Sequence, residues 1–95
     1  MIVLDPPVRW GQRATSHLLS DLPGQPGQLE LAAFAGRLGL PAHALHLAGT
    51  DREHYDLPAN LLEAADAAGA VRVGRSELAR ILRRKRGARG AGQRG

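Results

Sequence analysis

Leu31, Phe34, Ala35 and Leu38 recur at i, i+3, i+4 and i+7, which marks one apolar stripe of a helix over about residues 27–38, with Gly39 and Pro41 to stop it. A stripe like this must be buried against a second layer. In a chain of 95 residues only one core can form, covering about 60–65% of the unfolded-chain surface. Two more helices are legible. Pro58 suits the first turn of one over about residues 58–68, in which Leu61, Ala65 and Ala68 face inward and Gly69 takes a left-handed terminal position. Ser76 is placed to cap the other, with Leu78, Ile81 and Leu82 facing inward. Short strands are expected at about residues 1–4, 15–19, 43–47 and 70–73. Alternation of the two element types predicts a small single-domain α/β sandwich: three to four mainly parallel strands, about three helices and right-handed crossovers, with Leu45 to Val73 as one βαβ unit.

Charge is unevenly distributed. All nine acidic residues lie in residues 1–79 against six arginines, whereas residues 80–95 hold Arg80, Arg83, Arg84, Lys85, Arg86, Arg89 and Arg94 with no acid. The division is therefore a domain over residues 1–84, mildly acidic through residue 79, and a basic Gly/Arg-rich tail over 85–95, expected to be disordered unless a partner orders it. Such a tail can hold polynucleotide phosphates by releasing counterions. Twelve arginines beside a single lysine are also what GC-rich coding produces without any function. No cysteine is present, which excludes disulfides and thiolate metal sites. The apolar run Met1 to Leu4 stops at Asp5-Pro6-Pro7, and nowhere do about 18 apolar residues follow one another, so neither a secretory signal nor a membrane span is expected and the cytoplasm is the default location.

Two dense polar clusters, Ser16-His17-Leu18-Leu19-Ser20-Asp21 and His54-Tyr55-Asp56, stand out from the Ala/Leu/Arg background. In an open parallel sheet ligands bind outside the carboxyl ends of the strands. That rule puts Asp5, Asp21, His54 and Asp56 on one rim, together with His17. Imidazoles and carboxylates serve acid/base catalysis and coordination of hard or borderline ions. His17, Asp21, His54 and Asp56 are accordingly the candidate catalytic groups. Asp5, Asp21, His54 and Asp56 are the candidate ligands for Mg²⁺ or Mn²⁺, and Trp10 and Tyr55 are candidates to flank a bound molecule.

Structural readings stand beside these. His17 also fits a hydrogen-bonded structural histidine, and it neighbours Asp21 only if the segment is helical, since four residues of strand span about 13 Å. Asp56, just before Pro58, also fits a carboxylate binding free amides at a helix start. His43 and His46 could chelate from one helix face, and Trp10 and Tyr55 also fit hydrophobic anchors. No nucleophile elbow surrounds Ser16 or Ser20, and there is no Walker loop, His-Glu-x-x-His or Gly-x-Gly-x-x-Gly run.

Asp5-Pro6-Pro7 with Trp10, Ser-His-Leu-x-Ser-Asp at 16–21, Leu29-Glu30-Leu31 with Phe34-Ala35, Gly39-Leu40-Pro41, His54-Tyr55-Asp56-x-Pro58, Gly69-Ala70 and Glu77-Leu78 together resemble a bacterial and phage family known only as a domain of unknown function, number four thousand and thirty-one. The resemblance spans roughly residues 1–84. It implies no activity, and marks Asp5, Trp10, His17, Asp21, His54, Tyr55 and Asp56 as matching the family signature. The stretch Ala48 to Glu53 is longer than the family pattern, and the segment from Gly87 onward finds no counterpart in it.

The functional expectation is a polar site for a phosphate-bearing small molecule or nucleotide, with metal-assisted phosphoester hydrolysis as its chemistry. The alternatives are a non-catalytic nucleic-acid-associated module using Arg80, Arg83, Arg84, Lys85, Arg86 and Arg89, or an accessory protein-interaction domain whose polar clusters serve only the fold.

Overall fold

Pro6 and Pro7 lack an amide proton and interrupt what would otherwise be one continuous strand. In the computed structural model, which describes residues 1–93, residues 89–93 by backbone alone, the strands β1 (Ile2–Leu4) and β2 (Val8–Trp10) lie end to end along one side of β3 (Arg13–Ser20). A two-residue turn, Gly11-Gln12, with Gly11 at φ 62°, joins β2 to β3. Helix α1 (Gly24–Leu38) follows, ending on Gly39 at φ 74°. A 3-10 turn at Ala42–Ala44 leads to the edge strand β4 (Leu45–His46), and after the loop 47–53 comes β5 (His54–Pro58). A second 3-10 turn runs into α2 (Leu62–Ala67), then β6 (Val71–Arg72) and the long α3 (Arg75–Gln93). Gly69, at φ 105°, ends the α2 turn as its sequence position implied.

The sheet order is β4-β5-β3-β1-β6, with β2 beside β3. The α/β architecture is as expected, but among the described residues the sheet is mainly antiparallel and has six strands, of which only β1 and β6 pair in parallel. The expectation of parallel strands fails for a local reason. Residues 54–58 are a strand, not the lead-in to a helix, and the loop before them is too short for the crossover of a dozen or more residues that parallel neighbours require. Leu45 to Val73 is therefore not a βαβ unit: β4 and β6 sit at opposite edges of the sheet.

Period-two alternation separates the two faces. Ile2, Leu4, Leu18, Tyr55 and Leu57 point one way and pack against Leu31, Phe34 and Ala35 of α1 and Ala65 of α2. Gly27 lets α1 approach closely, since a Cβ there would lie 2.1 Å from the Leu22 carbonyl oxygen. Val3 and Leu19 point the other way, against Ile81, Leu78 and Leu82 of α3 and Val73. The inward face expected for the third helix is thus as observed, although the helix starts at Arg75, before Ser76.

Lys85 belongs to this body, not to a tail. It is buried, and its ammonium donates to the Ser20 carbonyl oxygen at 2.8 Å, bridging α3 to the end of β3. Burial pulls its pKa below the ordinary value, an effect opposed by the nearby charges of Glu53, Asp51 and Asp21. The helix continues across the expected boundary at residue 85 to Gln93, while residues 94–95 and the side chain of Arg89 lie outside the described residues. Among the described residues, no helix is long and apolar enough to cross a membrane.

Candidate metal centre

Because α3 covers only the β1 and β3 side of its face of the sheet, polar residues on the same face of β3, β5 and β4 are left open. The register then assembles a row from four adjacent strands. His46 on β4 lies opposite His54 on β5, Asp56 on β5 lies opposite His17 on β3, and the amide of Asp5, just past β1, donates to the His17 carbonyl at 3.2 Å. The row exists because His54 and Asp56 alternate with the buried Tyr55 and Leu57, which turn to the core.

Asp5 is 6% exposed and engages His17 twice: one carboxylate oxygen accepts the His17 backbone N–H at 2.6 Å, the other meets ring Nδ1 at 2.6 Å. A carboxylate can only accept, so the Nδ1 of His17 carries the proton. The Nδ1 of His54 lies 2.7 Å from the Arg52 carbonyl oxygen, which fixes its proton in the same way. Both rings therefore turn Nε2 toward Asp56, at 3.8 Å for His17 and 3.4 Å for His54, each to Oδ1. His46 approaches the other carboxylate oxygen, with Nε2 3.2 Å from Oδ2, and stacks on His54 at 5.3 Å between centroids. The His17 and His54 rings meet edge-on at 4.8 Å.

In their neutral form, His17 and His54 direct two imidazole lone pairs at a carboxylate oxygen that has none but acceptor sites to offer. Protonation of a ring or a cation between the three atoms removes that conflict. One ligand atom from each of His17, His54 and Asp56 lies within 4.8 Å of the others, a spacing that a single ion can bridge with small side-chain movements. Histidines held through Nδ1–H by a carboxylate and by a backbone carbonyl are in the arrangement that orients metal-binding imidazoles and raises their basicity. Two imidazoles and a carboxylate favour Mn²⁺, Fe²⁺ or Zn²⁺ over the harder Mg²⁺. Beside the cluster opens a cleft of about 240 Å³, walled by Asp5, His17 and His54, by Leu19, Leu47, Leu78 and Leu82, and by Arg52.

Of the residues singled out from sequence, Asp5, His17, His54 and Asp56 come together. Asp5 lies behind His17, at Nδ1, on the side away from Asp56. Asp21 does not join them. It lies at the other end of the β1–β3 pairing, where its carboxylate accepts from the Met1 ammonium at 2.7 Å, an ammonium also held by Glu30. Trp10 is 71% exposed at the β2 hairpin and is not among the walls of the cleft. Tyr55 is buried in the core on the opposite face. Asp56 is not a helix cap, since the 3-10 turn that follows starts after Pro58 with no side-chain cap. Sequence alone does not assign His46 and Arg52 to this site. The signal for His46 lies in a strand register, which spacing along the chain does not reveal.

No curated protein and no solved structure matches the chain. Residues 2–85, a span containing every member of the cluster, match the family described as "Protein of unknown function (DUF4031)", and the chain belongs to that family.

Proposed function

We propose that His17, His54 and Asp56 hold a divalent transition-metal ion and that the protein is a metal-assisted phosphoester hydrolase acting on a phosphate-bearing small molecule or nucleotide. The observation that carries this reading is the convergence of two Nε2 lone pairs, each fixed by a partner at Nδ1, on one oxygen of Asp56. His46 holds the second carboxylate oxygen and so orients Asp56. Three protein ligands beside an open cleft leave a coordination position for water or substrate, as catalytic metal sites require. An ion there supplies positive charge to a phosphoryl oxygen and a nucleophilic water at neutral pH. Arg52, at the rim of the same cleft, offers the planar donor fork suited to phosphate oxygens. In the reaction a water oxygen bonds to phosphorus, the ester P–O bond breaks, and the departing oxygen takes up a proton.

Thermal melting of chelator-treated protein tests the reading. Mn²⁺ or Zn²⁺ at a hundred times its Kd stabilises by about 2.7 kcal/mol, a rise of about 10–20 °C in a domain of this size. His54→Ala should abolish the rise while changing the metal-free stability by less than about 1 kcal/mol, and should abolish phosphate release from a panel of nucleotides and aryl phosphoesters. A wild type whose melting is indifferent to divalent ions and which hydrolyses none of the panel refutes the proposal.

A further inference from the structure

The cleft beside the cluster does not end at Arg52. A second cleft, of about 310 Å³, shares Arg52 and Leu82 with it and adds Arg83 and Arg86. A third, of about 490 Å³, shares Arg83 with the second and adds Arg80 and Arg84. Successive hollows share lining residues and so follow one another from the histidine cluster around α3 to its open outer face. All five arginines are exposed, and none takes part in the ion pairs found among the described residues. Asp5, Asp51 and Glu77 are the acids lining the path against five arginines, so positive charge predominates along it. Lys85, the one buried cation among the described side chains of this helix, faces away from it toward the Ser20 carbonyl. Arg52 comes from the loop 47–53, and its own carbonyl oxygen is the partner of His54 Nδ1.

We propose that this path is a binding groove for a single-stranded polynucleotide and that the phosphoester cleaved at the cluster is an internucleotide linkage of that strand. The inference rests on the hydrolase reading above and names its substrate class. A lone nucleotide occupies one cleft, whereas a strand uses all three and places successive phosphates against Arg52, Arg86, Arg83 and the pair Arg80 and Arg84. None of the three aromatic residues lines the path, so recognition is led by phosphates and is tolerant of base sequence. In the cleavage a water oxygen bonds to phosphorus, one P–O bond to a sugar breaks, and the sugar oxygen leaves with a proton, giving a phosphomonoester end and a hydroxyl end.

Fluorescence anisotropy of the full chain with labelled 12-nucleotide DNA, 12-nucleotide RNA and a mononucleotide, all in chelator and across a salt series, tests the groove without any metal. The strands should bind at least tenfold more tightly than the mononucleotide, with affinity falling steeply as salt rises; the DNA and RNA arms identify which polynucleotide is preferred. Replacing both Arg83 and Arg86 by Gln should weaken strand binding at least tenfold and reduce the log–log salt slope by about 1.4, near 0.7 for each phosphate that no longer meets an arginine. Mn²⁺ binding by calorimetry should be unchanged in that variant. His54→Ala should show the reverse, keeping the strand and losing Mn²⁺. Strand binding without Mn²⁺ binding in the wild type supports the groove and removes the hydrolase reading. Equal affinity for strand and mononucleotide, or undiminished strand binding by the double variant, overturns the proposal.

Discussion

Asp5→Asn keeps the shape of a nearly buried side chain and changes only what its two outer atoms can do. The carboxylate now accepts from both the backbone N–H and the ring Nδ1–H of His17, each at 2.6 Å. An amide has one acceptor and one donor. The backbone N–H is fixed in place and can only donate, so the amide oxygen must face it, and the amide NH₂ then faces Nδ1. His17 can satisfy that donor only by moving its own proton to Nε2, which places an N–H where a lone pair now faces Asp56. Two charge-assisted hydrogen bonds become neutral ones, a loss of about 1 kcal/mol each, partly offset because a carboxylate no longer has to be desolvated. The net expectation is about 1–2 kcal/mol of stability, read by urea titration, with a 10–100-fold loss of Mn²⁺ or Zn²⁺ affinity read by calorimetry. Nitrogen-15 spectra of the imidazole rings at pH 8 should show His17 changing tautomer and His54, whose Nδ1 partner is a backbone carbonyl, unchanged. If the variant keeps the Nδ1–H tautomer and full metal affinity, Asp5 does not set the chemistry of the cluster and the reasoning fails.

Two further outcomes follow from packing and charge. Gly27→Ala should destabilise by about 2 kcal/mol in urea or thermal melts, because the new methyl group meets the Leu22 backbone carbonyl, whereas Gly36→Ala, with nothing within 4 Å, should stabilise by about 0.5–1 kcal/mol; equal effects would show that α1 does not pack as described. Burial lowers the pKa of Lys85, so between that lowered value and the unfolded-chain value of 10.5 the folded state binds fewer protons than the unfolded state, and stability from this group rises with pH there; below the window its full cost remains. Lys85→Met should flatten that alkaline rise when its stability profile is subtracted from that of the wild type, and parallel profiles would contradict the burial of the ammonium.

Local patterns reveal the elements they determine locally. The i, i+3, i+4, i+7 stripe locates α1, Gly39 and Gly69 mark the two left-handed stops, and Leu78, Ile81 and Leu82 identify the inward face of α3. Strand direction is not legible, because it depends on whether residues 54–58 form a strand or open a helix. Pro58 points to a helix start, while the stronger signal is His54 and Asp56 alternating with Tyr55 and Leu57. Once β5 is missed, the remaining elements alternate as in a parallel fold. Four of the five acidic and imidazole candidates still converge, since the antiparallel pairing of β3 and β5 brings His17 opposite Asp56 without any rim at the strand ends. Proximity along the chain groups Asp21 with His17, yet four residues of strand carry it to the Met1 ammonium. Composition assigns Lys85 to the tail, whereas its helical spacing, seven residues after Leu78 and four after Ile81, continues the inward stripe that carries its amine to a carbonyl across the domain.

The outermost strand, β4, pairs with β5 through two residues only, one of them His46. Edge segments this short open on their own, at a free energy well below that of global unfolding, while the inner pair β3 and β5 opens only with the body of the protein. The cluster is consequently made of parts with different lifetimes. His17, His54 and Asp56 should show the slow hydrogen exchange of the central strands, and His46 the faster exchange of a fraying edge. Each departure of His46 would free Oδ2 of Asp56 and uncover one side of the cluster, so on the proposed reading the exchange of a bound ion would follow the opening of a two-residue strand and not the stability of the fold.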